Sequence, residues 1–246
     1  MQIVERAPFN GRFRTQRAEQ PLQPKARVCR QVYGRKQSHG TVLAYPLPWS
    51  LSRLLRATEP VKLDFFARSA QKLAPDLVGC VLLHGETAGM LVETEAYLGT
   101  NDLAAHASRG LTPRTQVIFG PPGRAYVYFI YGMHECLNVV ADREGTPGCV
   151  LIRALEPLCG IEEMAHRRNW HGPPIGLANG PGKLTQALAI TRDFYGARLD
   201  RGPLRIRRWR ERPQFEIGIT PRIGITQCGD WPLRFVWAKH PCLSRR

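Results

Sequence analysis

The chain has no apolar run as long as the roughly 18 residues that a membrane-spanning helix requires. Its first 17 residues are too polar and too interrupted to form a signal peptide. The patterns HExxH, GxxxxGKS or GxxxxGKT, and GxSxG are also absent, which removes the commonest metalloprotease, phosphate-loop and serine-hydrolase motifs. We therefore expect a soluble intracellular protein without membrane contact, cytoplasmic or nucleoid-associated in a bacterium and nuclear in a eukaryote.

Paired cysteines are missing as well. The chain has seven cysteines and no CxxC pair: Cys29, Cys80, Cys136, Cys149, Cys159, Cys228 and Cys242. An odd count without close pairs argues against a disulfide framework and against a thiolate zinc site. We interpret most of these side chains as small buried apolar groups, and we expect neither a metal ion nor a cofactor.

Acidic residues are few. The chain has 20 Asp and Glu against 35 Lys and Arg, a net charge of +15 and a pI of about 10.1. A surplus of this size favours a polyanionic partner, although a merely soluble basic protein remains the alternative. The surplus divides into +8 for residues 1–60 and +7 for the remainder, so the later part is basic in its own right.

Periodicity is absent from residues 1–60, which are rich in Arg, Gln and Pro. We interpret them as a disordered basic arm, or as the product of a wrongly assigned translation start. Order is predicted to begin near Leu63, so residues 61–246 form a single domain. A chain of this length can bury a sizeable core.

The domain is predicted to be α+β, with a mainly antiparallel curved sheet, surrounding helices and a protruding hairpin, because strands and helices mix without βαβ regularity. Asp64 is expected to cap a helix over 65–73 that ends before Pro75. Two hairpins are predicted, one over 78–95 and one over 125–140, with a buried strand over 149–154. Further helices are expected over 161–168 and 183–190, and late strands over 222–226 and 233–237.

Three clusters carry side chains suited to chemistry. Strand alternation puts Glu93, Glu95 and Tyr97 on one face, where carboxylates could act as general bases, although edge-strand glutamates are more often solvated. Tyr126 and Tyr128 share a face and Tyr131 abuts a turn glycine, so these rings could stack on bases or simply pack. The glycine-rich turn before Lys183 could hold a phosphate, a weak motif by itself.

Taken together, the clusters resemble the alkyladenine (methylpurine) DNA glycosylase family over about residues 63–244. The matching blocks stand in order as VETEAYLG (92–99), AAHASRG (104–110), LTPRT (111–115), GRAYVYFIYGMHECLNVV (123–140), CVLIRALEP (149–157), NGPGKLTQALAI (179–190) and PRIGIT (221–226). Seven ordered blocks are far more specific than any single motif. Residues 1–60 lie outside the resemblance.

The resemblance implies a role for each matching residue. Glu95 is the expected general base, and Arg153 and the main-chain carbonyl of Ile223 are expected to help hold the attacking water. The implied roles of the other matching residues concern the base and the DNA: Tyr97, His106 and Tyr128 as stacking walls, Asn138 against the purine 2-position, Tyr131 as the side chain inserted into the duplex, and Lys183 facing the DNA backbone.

The resemblance thus implies a monomeric, monofunctional hydrolase of base excision repair. It would flip alkylated or deaminated purines (the 3-methyladenine, 7-methylguanine, hypoxanthine and ethenoadenine class) from double-stranded DNA and leave an abasic site. A non-catalytic protein that binds damaged DNA or RNA is the alternative, and the joint presence of Glu95 and Arg153 favours the enzyme. A nucleoside hydrolase would explain a base pocket but not Tyr131 beside a turn or the basic charge.

Overall fold

The computed structural model describes residues 48–244, which belong to one compact unit. Five α-helices are formed in this part of the chain: α1 (Leu51–Ala57), α2 (Leu63–Phe66), α3 (Ala70–Leu77), α4 (Ile161–Arg167) and α5 (Pro181–Ala187). Short 3₁₀ turns lie at His106–Arg109, Gln116–Phe119, Pro174–Gly176 and Arg192–Phe194. None of the described helices is long and apolar enough to cross a bilayer.

Nine strands form the sheet. In chain order they are β1 (Thr58–Pro60), β2 (Val81–His84), β3 (Thr87–Tyr97), β4 (Ala125–Ile130), β5 (His134–Val140), β6 (Cys149–Cys159), β7 (Leu204–Trp209), β8 (Ile217–Thr220) and β9 (Arg234–Trp237). The spatial order is β1-β7-β2-β3-β6-β5-β4, and β9 pairs with both β3 and β8. Every strand pair among them is antiparallel, which confirms the predicted α+β class.

Strand β3 is the centre of this sheet. Its first half pairs with β2 and its second half with β9, while β6 pairs along the whole strand. Ten of its eleven residues are buried, so the strand must satisfy its polar side chains inside the protein. The sheet is covered on both sides, since Leu82 and Leu91 belong to one hydrophobic cluster and Val81 and Met90 to another.

Two irregularities in the β3–β6 ladder set the direction of side chains near its middle. The register steps from Leu91↔Leu155 to Glu93↔Ala154, and then to Thr94↔Ile152. Val92 on β3 and Arg153 on β6 are therefore each passed over, one bulge on either strand. A bulge re-aims the side chains around it. One of these bulges directly precedes Glu93, and the other is at Arg153.

Both predicted hairpins are present. The first joins β2 to β3 through Gly85-Glu86, with His84 opposite Thr87. The second joins β4 to β5 at the end of the sheet, and its turn residues Tyr131 and Met133 are strongly exposed. Period-two alternation and a turn glycine are local features, so both hairpins could be predicted from the sequence alone.

The predicted start of the folded domain is wrong for residues 51–60, which form α1 and β1. Leu54 is fully buried in the cluster beside β2 and β3, and β1 pairs with β7. Arg207 of β7 donates hydrogen bonds to the Thr58 side chain and carbonyl, both at 2.8 Å. The rest of the predicted arm, residues 1–47, lies outside the described residues, and its character stays a prediction.

The first predicted helix is also wrong in its bounds. The predicted helix is interrupted between α2 and α3, and the Ala70 backbone N–H at the start of α3 donates to the Asp142 carboxylate at 3.2 Å. Helix α3 then continues through Pro75 to Leu77, because Leu77 is fully buried and its packing offsets the hydrogen bond that proline cannot donate.

The late elements differ as well. The residues around 222–226, predicted as a strand, form a loop after β8. Strand β7 was not predicted. Three of its six residues are arginine, and they obscure the alternation in which Leu204 and Ile206 are buried and Arg205 is less so. The other predicted helices and strands are present with shifted ends.

We predict that Leu54→Ala lowers the free energy of unfolding by about 2–5 kcal/mol, the usual loss for a fully buried leucine. The measurement is urea denaturation of the full chain. Arg56→Ala changes an exposed residue of the same helix and should have little effect. Equal stability of Leu54→Ala and the parent chain would contradict the packing of α1 on the sheet.

Candidate active site

A cavity of 460 Å³ opens beside the β4–β5 hairpin. Its walls come from five parts of the chain: β3 and the loop after it, the hairpin strands, the first half of β6, the start of α5 and the loop after β8. The lining includes eight of the nine predicted site residues: Tyr97, His106, Tyr128, Tyr131, Asn138, Arg153, Lys183 and Ile223. Glu95, the ninth, lies directly behind this lining.

Glu95 is fully buried, and the three hydrogen-bond partners of its carboxylate all line the cavity. Oε1 accepts a hydrogen bond from the Ile223 backbone N–H at 2.8 Å. Oε2 accepts from Arg153 Nη1 at 3.1 Å and from the Tyr97 hydroxyl at 3.2 Å. Burial raises the pKa of the Glu95 carboxyl, and the Arg153 guanidinium opposes that rise.

Arg153 reaches this carboxylate from the bulge on β6. Its Nη1 also donates to the Ile223 carbonyl at 3.4 Å. One nitrogen thus contacts both the Glu95 carboxylate and the Ile223 carbonyl, the two groups predicted to hold the attacking water together with Arg153. The Nε side of the same guanidinium lies 3.3 Å from Glu93 Oε1. Sequence alternation predicted that Glu93 and Glu95 share a face, and their common contact with Arg153 confirms it.

A buried ion pair lies behind Tyr97 and was not predicted. Arg222 contacts Asp102 through both terminal nitrogens, at 2.5 and 2.9 Å, and both side chains are fully buried. Arg222 also donates to the Ala96 carbonyl and lies over the Tyr97 ring, 4.6 Å from its centroid. The Asp102 carboxylate accepts from the backbone N–H groups of two residues in its own loop, Leu98 and Ala104.

This pair ties together the two loops that build one side of the cavity. One loop follows β3 and leads to His106, and the other follows β8 and carries Ile223. The residues are 120 positions apart, so no local pattern could have joined them. The DLAAH segment would have been the sequence signal, since an Asp side chain in a loop often accepts from the backbone N–H two residues further on, as Asp102 does from Ala104.

Aromatic rings form another part of the cavity wall. His106 Nδ1 lies 2.8 Å from the Tyr126 hydroxyl, and its ring meets Tyr128 edge to face at 4.6 Å between centroids. Burial, together with the nearby Arg114, lowers the pKa of His106 to about 4. The imidazole is therefore neutral at physiological pH. Tyr126, which sequence reasoning did not assign to the pocket, supports the histidine from the core.

The floor of the cavity is small and mostly neutral. Asn138 is buried, and its Nδ2 donates to the Tyr126 carbonyl at 3.2 Å, which fixes the amide in place. Two thiols lie beside it, and burial raises the pKa of Cys136 to about 11 and of Cys149 to about 12. Asn138 thus both lines the cavity and holds the backbone of the neighbouring strand.

Tyr131 and Lys183 stand at the mouth. Tyr131 is 80 % exposed and has a φ of 53°, in the left-handed region that a tight turn requires. Lys183 is in the first turn of α5, and its Nζ donates to Asn179 Oδ1 at 2.8 Å. The Gly182 beside it leaves no room for a Cβ, which would lie 2.8 Å from the His134 ring.

Among residues 48–244, no three His, Cys, Asp or Glu side chains come together as a possible metal site. The expectation of catalysis without metal or cofactor stays a prediction.

A family model described as Methylpurine-DNA glycosylase (MPG) matches residues 64–241. This match shows the class of the protein, which is a DNA N-glycosylase, a hydrolase of base excision repair. The chain belongs to the methylpurine-DNA glycosylase family. The resemblance drawn from the seven sequence blocks is confirmed.

Curated relatives agree with this assignment. A Methanoculleus marisnigri protein, provisionally named a 3-methyladenine DNA glycosylase, is 50 % identical over 188 residues, which cover 74 % of this chain and 97 % of that protein. A Rhodopseudomonas palustris protein with the same provisional name is 52 % identical over 171 residues, covering 70 % and 81 %. Another, from Koribacter versatilis, is 45 % identical over 192 residues, covering 75 % and 93 %.

We predict that Asp102→Ala lowers the free energy of unfolding by about 3–5 kcal/mol, because it leaves Arg222 buried without its counter-ion. Asp76→Ala is the matched control, since its partner Arg68 and Asp76 itself are both partly exposed. That control should cost no more than about 1 kcal/mol. Urea denaturation measures both, and equal losses would show that the Arg222 pair does not hold the loops together.

Proposed function

We propose that the enzyme extrudes an alkylated or deaminated purine into this cavity and hydrolyses its bond to deoxyribose with a water activated by Glu95. The substrates would be the 3-methyladenine, 7-methylguanine, hypoxanthine and ethenoadenine class, and the product an abasic site. The observation that carries the proposal is the buried carboxylate of Glu95, held by three groups that line the cavity. The proposed enzyme acts as a monomer inside the cell.

Burial suits Glu95 to base catalysis. A carboxylate removed from water binds a proton more readily, and its raised pKa makes it a stronger base than an exposed glutamate. Arg153 keeps enough of the group ionised to accept a proton. As the glycosidic bond breaks, the sugar becomes positively charged, and a carboxylate beside it stabilises that charge as well.

The aromatic walls account for the choice of base. A flat purine would stack on the rings of Tyr97, His106 and Tyr128 that line the cavity, and a cationic alkylated base gains from contact with electron-rich rings. The neutral His106 adds no repelling charge. Asn138, fixed in the floor, would crowd the exocyclic 2-amino group of guanine and admit hypoxanthine, which lacks that group.

Extrusion requires a group to fill the space that the base leaves. A base can leave the stack only at a cost of a few kcal/mol, and an inserted side chain slows its return. Tyr131 stands exposed on the hairpin turn at the cavity mouth, which suits this role. Lys183 at the same mouth would face the phosphate backbone.

We predict that Glu95→Gln lowers the single-turnover excision rate by about 10²–10⁴-fold, because an amide cannot accept the proton of water. Binding to lesion DNA should persist. In the parent enzyme the rate should fall towards low pH, as Glu95 becomes protonated. Because the pKa of Glu95 is raised, this fall should occur at higher pH than for an ordinary glutamate.

The matched control is Glu163→Gln, which changes an exposed glutamate on α4 and should leave the rate unaltered. Both are measured with excess enzyme on a duplex carrying one hypoxanthine. A rate for Glu95→Gln within about threefold of the parent would exclude Glu95 as the base.

We predict that Tyr131→Ala weakens base extrusion, with a loss of roughly 1–3 kcal/mol, the usual value for one stacking contact with a base. A 2-aminopurine beside the lesion should brighten less when this variant binds. Ile219→Ala, another exposed hydrophobic residue outside the cavity, should behave like the parent. An unchanged 2-aminopurine signal with collapsed excision would instead place Tyr131 in the chemical step.

A further inference from the structure

A second glutamate is buried behind the proposed base and has no part in the proposed reaction. Glu93 lies on β3 two residues before Glu95, is fully buried and does not line the cavity. Its Oε1 accepts from Arg234 Nε at 2.7 Å and from the Ser244 hydroxyl at 2.8 Å. Its Oε2 accepts from the Ser244 backbone N–H at 2.7 Å. The carboxylate is thus clamped by β9 and by the segment after it.

Arg153 lies between the two carboxylates. Its Nε is 3.3 Å from Glu93 Oε1, and its Nη1 is 3.1 Å from Glu95 Oε2. A guanidinium pairs most strongly with one carboxylate through two parallel hydrogen bonds. The Nε of Arg153 makes no hydrogen bond, so Glu93 attracts that side of the guanidinium through charge alone. Arg153 therefore presents a single nitrogen, Nη1, to Glu95 and to the Ile223 carbonyl.

We propose that Glu93 is a positioning residue of the active site, which holds Arg153 in the orientation that leaves Glu95 free to act as a base. Glu93 itself touches no substrate. The proposal rests on the proposed role of Glu95. Without the Glu93 carboxylate, Arg153 can turn one edge of its guanidinium, with two N–H donors, towards Glu95. The resulting bidentate pair would compete with the attacking water for the carboxylate.

The charges around Glu95 give this role a measurable pH dependence. Tyr97 from β3, Arg153 from β6 and Arg222 from the loop after β8 face the carboxyl, and Arg234 stands opposite it on β9. Glu93 supplies the second negative charge in this group. Its neutralisation leaves more positive charge near Glu95, which favours the carboxylate form.

The test is Glu93→Gln, assayed by single-turnover excision from the hypoxanthine duplex over a range of pH. The maximal rate should fall by about 10–100-fold, the range expected when a catalytic group is displaced by up to about 1 Å. The acidic fall of the rate should move to lower pH by about 0.5 unit or more. Lesion-DNA affinity should stay unchanged, because Glu93 does not face the cavity.

Two further variants separate positioning from folding. Glu93→Asp keeps the negative charge but moves it away from Arg153. The maximal rate of this variant should fall, while the pH at which its rate falls on the acidic side should stay that of the parent. Glu156→Gln changes a partly exposed glutamate of β6 outside the cavity and should match the parent in both readouts. Melting temperatures of all variants report folding.

The proposal would be overturned if folded Glu93→Gln kept the parent's maximal excision rate. It would also be overturned if the acidic fall of the rate stayed at the same pH as in the parent. If Glu93→Gln does not fold, a parental rate for Glu93→Asp overturns it instead. The proposed function fails by a different result, namely full excision by Glu95→Gln. Loss of activity in Glu95→Gln with a parental pH profile in Glu93→Gln would therefore reject only the role of Glu93.

Discussion

The buried pair of Arg222 and Asp102 is the interaction on which the cavity depends. The two loops that it joins have no strand or helix of their own at this point, so their relative position comes from side chains. Arg222 uses a planar fork that matches a carboxylate, and the remaining Asp102 lone pairs are taken by backbone N–H groups. A pair without those extra partners would not offset the cost of removing two charges from water.

The same pair shapes the electrostatics of ligand binding. Arg222 covers one face of Tyr97, so a planar ligand can stack only on the other face. A bare guanidinium there would repel a cationic base by about 2 kcal/mol at roughly 8 Å. Asp102 cancels that charge, and the ring keeps its attraction for a cation. The protein thus uses Arg222 as a rigid support for Tyr97 without leaving its charge uncompensated behind that ring.

Local patterns could predict the parts of the site that lie on regular strands. Alternation placed Glu93 and Glu95 together on β3, and the turn after Ile130 located the exposed tip at Tyr131. The remaining site depends on contacts distant in sequence. The bulge that aims Arg153 follows from pairing across two strands, and no residue type marks it. The segment after β8 alternates like a strand, yet Arg222 turns inward to Asp102 and the backbone N–H of Ile223 is given to Glu95.

The two thiols of the pocket floor are poorly reactive towards electrophiles, because both are buried. The thiolate, not the thiol, reacts with electrophiles. With pKa values of about 11 and 12, Cys136 and Cys149 would be thiolate in only about one molecule in 10⁴ or fewer at pH 7. Reagents that methylate purine nitrogens would therefore meet slow-reacting sulfur in this cavity.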